Sequence, residues 1–183
     1  MASAFTFDED TGTATGSPAK GTTRTSPATD ANWKNSGVIT DAYSDYPLTA
    51  GNNSYQKVIF GHFTGTFTTV SGGLFAHTAT AFGTGLTLKG VKVMTGDSDR
   101  WLYVTPSATT DADLTVDMTS VTAIASGTTV YFGITGPEAT GKASSCGTSP
   151  CYTNFLTTQL QTTSSANAGD TAQVTLTLQY DET

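Results

Sequence analysis

The sequence is poor in charge, histidine, cysteine and long apolar runs, and each shortage argues against a class of function. Charged residues make up 13% of the 183-residue chain, about half the share usual in a soluble domain. The surface must therefore be covered largely by neutral polar groups. Eight Lys and Arg stand against fifteen Asp and Glu, giving a net charge of −7 and a pI near 4.4. Phosphate backbones are bound by clustered cations, so this balance predicts no nucleic-acid partner. No window of about 18 consecutive apolar residues occurs, which predicts no transmembrane helix and no membrane partner. The opening residues "MASAFTFDEDTG" carry neither a basic segment nor an apolar one, so no secretory signal is expected. The expectation is a protein made in the cytoplasm and released by cell lysis.

Reactive side chains are equally scarce. The two histidines are His62 and His77. His62, in "FGHF", reads as a structural hydrogen-bonding residue on a strand. "TVSGG" (69–73) contains Ser and Gly but lacks the G-x-S-x-G setting of a nucleophilic serine. No catalytic residue is predicted. The acidic groups Asp8, Glu9 and Asp10, then Asp97 and Asp99, then Asp111 and Asp113, read as solvated turn residues. Nothing in their spacing brings two carboxylates across a cleft, and none supplies a full calcium loop. Cys146 and Cys151 lie in "SSCGTSPCY", where Gly147 and Pro150 shape a turn. They are either a disulfide or a pair of reduced thiols. Two sulfurs without neighbouring histidines do not fill a tetrahedral metal shell, so no metal and no cofactor are expected.

What is abundant is threonine, roughly a fifth of the residues, and glycine, with 19 copies. Threonine suits pleated surfaces and glycine suits tight turns. Residues 9–32 hold almost no apolar side chains and cannot offset their ordering entropy alone. They predict an extended N-terminal arm, residues 1–32, held by a neighbour or by its own domain. Phe5 and Phe7, two apolar side chains of one parity, are its candidate anchor.

From Trp33 to Thr183 the text reads as a single β-domain. "YQKVIFGHFTGTFTTV" places Ile59, Gly61, Phe63, Gly65 and Phe67 on one parity, with glycines making room for neighbouring aromatics. A break is expected at Ser71–Gly73. "GLTLKGVKVMT" changes parity at Lys89–Gly90, the mark of a bulge or a crease. "GTTVYFGITG" predicts a nearly continuous buried strand from Val130 to Ile134. "NFLTTQLQTT" and "AQVTLTLQY" are expected to close the domain as a pair. In the last of these, Val174, Leu176, Leu178 and Tyr180 alternate with polar residues, predicting one buried face. About eight or nine strands without a helix give an all-β, antiparallel β-sandwich or jelly roll. Trp33 and Trp101, with Tyr43, Tyr46 and Tyr152, lie near turns. They suit either stacking on a sugar or plugging strand ends.

Four stretches, "NWKNSG", "YPLTAGNNSYQKVIFGHFTGTF", "FGTGLTLKGVKV" and "LQTTSSANAGDTAQVTLTLQYDE", resemble virion structural proteins of tailed bacteriophages over roughly half of the chain. The resemblance implies a β-sandwich component of the particle, and its motifs are structural rather than catalytic. The leading expectation is a capsid decoration, or cement, protein located in the virion. It would be an oligomer there, bracing the major capsid protein or other virion proteins through its arm and sheet edges. The alternatives are a tail, collar or baseplate component and, from another class, a carbohydrate- or receptor-binding module.

Overall fold

The computed structural model describes residues 3–11, 23–28, 33–37, 41–42, 44–78, 80–90, 114, 116–119, 130–134, 143–167 and 174–183. Among these residues the fold is all-β, with eleven strands in antiparallel pairing and no helix. They are β1 (Ser3–Thr11), β2 (Thr23–Thr25), β3 (Lys57–Gly65), β4 (Val70–His77), β5 (Leu86–Gly90), β6 (Val116–Asp117), β7 (Phe132–Gly133), β8 (Ser145–Cys146), β9 (Cys151–Thr153), β10 (Leu156–Thr162) and β11 (Leu176–Glu182). The large sheet has eight strands, running β2-β1-β3-β10-β5-β6, with β9 pairing both β3 and β7. The small sheet is β11-β4-β8.

β3 is the spine of the large sheet. It takes β1 along one side, from Ser3↔Gly65 to Asp10↔Val58. Its other side is shared by β10 near Ile59 and β9 near Phe63. From Lys57 to Gly61 every residue is buried, as expected of a strand covered on both faces. On one face Phe63 of β3 meets Val70 and Phe75 of β4 and Leu178 of β11 in a cluster that both sheets build. Val58, Phe60 and Phe155 form a separate cluster. A third gathers Phe82, Leu88, Met118 and Leu160 around the β5–β10 pair.

Gly61 shows why a glycine stands in the middle of β3. A Cβ there would lie 2.9 Å from Thr153 Cγ2 and 3.0 Å from both Leu178 Cδ2 and Phe5 Cε2. The glycine makes room for its neighbours, as the alternating Phe and Gly of the sequence predict.

Several expectations are revised. No break occurs at Ser71–Gly73, because β4 runs through it. Gly72, at φ +63°, absorbs the irregularity: Gln179 pairs with Leu74 and Asp181 with Ser71. Two residues of β4 thus oppose Tyr180 alone, which is a glycine-assisted bulge. β10 and β11 do not pair with each other. β10 lies between β3 and β5, and β11 pairs with β4 in the other sheet. Local alternation set the faces of these strands but carried no information about partners 68 or more residues away in the chain. Val130 and Phe132 are buried, yet Tyr131 is only partly covered and Ile134 is 55% exposed. The stretch therefore alternates instead of being continuously buried. The residues after Gly90 that carry the parity change, Val91 and Val93, lie outside the described residues.

Of the segment predicted as an arm, residues 3–11 and 23–25 are strands of the large sheet. They pair with each other from Glu9↔Thr25 to Thr11↔Thr23. Residues 12–22 link them and, like residues 29–32, lie outside the described residues.

Candidate functional site

One end of the molecule gathers both described termini and two crossings between the sheets. Residues 66–69 connect β3 of the large sheet to β4 of the small one, and residues 147–150 connect β8 of the small sheet to β9 of the large one. The two connections touch: a Cβ on Gly147 would stand 3.0 Å from the Thr68 carbonyl oxygen. Beside them, Thr68 and Thr69 donate backbone N–H groups to the main-chain oxygen of Thr183, at 2.7 and 3.0 Å, and Thr183 N–H returns a bond to Thr69. Ser3 completes the arrangement. Its N–H donates to Glu182 Oε1 at 2.8 Å and its hydroxyl to Glu182 Oε2 at 2.6 Å. These bonds, the hydroxyl's first, hold the Glu182 carboxyl below its usual titration range, because they favour the ionised form.

The opposite half of β1 carries the acidic trio. Asp8, Glu9 and Asp10 are not solvated turn residues; all three are buried strand residues. The reason is that neighbouring strands supply a polar partner to each, a cation in the case of Glu9 and Asp10. Asp8 Oδ2 lies 2.9 Å from His62 Nδ1. Glu9 Oε1 lies 3.1 Å from the Lys57 ammonium, with both side chains at most 2% exposed. Asp10 Oδ1 accepts from Arg24 Nε at 3.1 Å. Strand alternation sends Glu9 to the same side as Phe5 and Phe7, and Asp8 and Asp10 to the other. On that second side the Arg24 guanidinium sits 4.7 Å from the Phe60 ring centroid. The His62 ring stacks on Tyr152 at 4.5 Å. His62 is thus a hydrogen-bonding strand residue, as its setting predicts.

Phe5 and Phe7 fall within the chain's own aromatic cluster. Phe5 packs on Phe63 at 5.0 Å and on Tyr180 of β11 at 5.9 Å, and Phe7 lies 6.3 Å from Phe75. They fasten β1 to both sheets. Each such burial contributes on the order of 1.5–3 kcal/mol when complete, which adds to the backbone pairing of β1 with β3.

The other predicted residues separate. Trp33 is partly buried against the third cluster and donates its Nε1–H to Thr158 Oγ1 at 3.0 Å, the position of a core plug. Tyr152 is committed to His62, and Tyr46 is 41% exposed. Trp101 and Tyr43 lie outside the described residues, as do Asp97, Asp99, Asp111 and Asp113. Cys146 and Cys151 are not joined in a disulfide, and both are buried in the cluster shared by the sheets. No group of three or more metal-ligating side chains occurs among the described residues. The exposed Ile134 was missed by sequence reasoning, since an apolar run carries no sign of which member faces outward.

Comparison with protein-family models, with curated proteins and with solved structures finds no match.

Proposed function

We propose that this chain is a β-sandwich structural protein of a tailed-phage particle, a capsid decoration protein that braces its neighbours. One observation carries the proposal: charge is drawn from the surface into buried pairs, and the outer strand of the small sheet is free of charge from Leu176 to Tyr180. Asp8, Glu9, Asp10, Lys34 and Lys57 are buried. β11 instead presents Thr177 and Gln179, with Asp181 at its end. Covering such a face with protein desolvates few charges. Among the described residues β11 pairs with β4 alone, and an edge of this kind is suited to adding a neighbour's strand. Several modest contacts spread over neighbouring subunits reinforce one another. The likeness of the sequence to phage virion proteins supports the same assignment.

Cryo-electron microscopy of purified particles tests it. The expected result is density for this fold on the head, with a copy number that follows icosahedral symmetry. A copy number following the tail's rotational symmetry would move the protein to the tail, collar or baseplate. Particles that lack the chain altogether would overturn a structural role.

A further inference from the structure

We propose that Cys146 and Cys151 are an oxidisable pair whose disulfide fastens the small sheet to the large one. The two residues stand on opposite sides of the inter-sheet crossing. Cys146 of β8 pairs with Val70 of β4, and Cys151 of β9 pairs with Phe63 of β3. Both side chains turn inward to the same buried cluster, in which Val70 and Phe63 also lie. The chain between them, residues 147–150, is exposed at every position. Cys146 donates its S–H to the Thr148 carbonyl at 3.3 Å, which holds its sulfur at the root of this exposed turn. A small local opening of the turn therefore reaches Cys146 without disturbing β3 or β4. The neighbouring crossing, residues 66–69, already rests on the turn at Gly147. A bond between the sulfurs would add a covalent tie between the two sheets beside the main-chain crossings 66–69 and 147–150.

The oxidant is a small-molecule disulfide. The Cys146 thiolate attacks one of its sulfurs, forming a mixed disulfide and releasing one thiolate. The Cys151 thiolate then attacks the Cys146 sulfur, closing the intramolecular bridge and releasing the second. Two protein thiols lose two electrons and two protons, and the reagent is reduced to two thiols. The bridge closes a loop of six residues, so its effect is moderate compared with that of a long loop.

The test is incubation of the folded full chain with oxidised glutathione, followed by denaturation, alkylation and mass spectrometry. The expected product is a monomer that has lost two hydrogens and takes no alkyl label. Its melting midpoint should rise by roughly 4–8 °C over the reduced protein. The Cys151→Ala variant should stop at a stable glutathione adduct on Cys146. Wild-type protein that keeps both thiols alkylatable, stalls as an adduct, or links one molecule to another overturns the pairing. A bridge that forms but leaves the melting midpoint unchanged overturns the fastening.

Discussion

The two terminal strands, β1 and β11, are built from similar alternation and end in different surroundings. In β11, Leu178 is buried while Thr177, Gln179 and Asp181 face outward, so alternation and exposure agree. In β1, Phe5 and Phe7 face the shared cluster, but the acidic residues of the opposite parity are buried as well. Asp8 is 1% exposed and Asp10 is 6% exposed. Even the inward parity ends in a charge, Glu9, which has Lys57 beside it. Alternation reveals that a strand has two kinds of face. It does not reveal whether the polar one is wet. That depends on whether the neighbouring strands bring opposite charges, and only β1 has such neighbours.

Breaking the charged half of β1 should give the largest effect. Lys57→Met removes the ammonium beside a fully buried carboxylate, and loss of one partner from a buried pair costs about 3–5 kcal/mol. Urea unfolding should show this loss in the midpoint with little change in slope. Replacing both partners, with Glu9→Leu added, should recover most of it, because no isolated charge is left. A single substitution costing less than about 1 kcal/mol would mean that the pair is not desolvated as its burial implies. The matching change in β11 is smaller and one-sided. Leu178→Ala should cost about 2–4 kcal/mol through lost packing, whereas Thr177→Ala should stay within about 0.5 kcal/mol. Equal costs at the two positions would show that β11 is covered on both faces.

How far the sequence could be read follows the same division. The all-β class was legible from the threonine and glycine content, and the faces of β11 from strict alternation between Val174 and Tyr180. The room made by Gly61 was legible in the Phe-Gly pattern. The exchange of partners between β10 and β11 was not, because strand pairing is decided by long-range packing and local alternation suits several partners equally. The burial of Asp8, Glu9 and Asp10 was hidden for a related reason. Their partners are Arg24, Lys57 and His62, at sequence separations of 14, 48 and 54 residues, respectively. Each partner alone reads as an ordinary surface or strand residue. Only the register of β1 against β2 and β3 makes them a lattice.

The smallest expected effect lies where β1 and β11 are joined, at Ser3 and Glu182. Both oxygens of the carboxylate accept bonds from Ser3, first from its hydroxyl and then from its backbone N–H. The folded chain therefore holds this group ionised to lower pH than the unfolded chain does, with a reference value of 4.5. Below that reference the unfolded state takes up the proton first, so unfolding becomes more favourable as the medium is acidified. The stabilisation is complete above about pH 4.5 and fades as pH falls through the lower folded value. Glu182→Gln keeps the shape and one accepting oxygen but removes the titration. Melting midpoints measured from pH 7 down to pH 3 should converge for the two proteins at the acid end, with the wild type higher at pH 7. Because the carboxylate is near solvent, added salt should narrow the gap at pH 7. A gap that persists unchanged at pH 3 would mean that Glu182 stabilises the joint by packing, and that the bonds to Ser3 contribute little to holding the two terminal strands together.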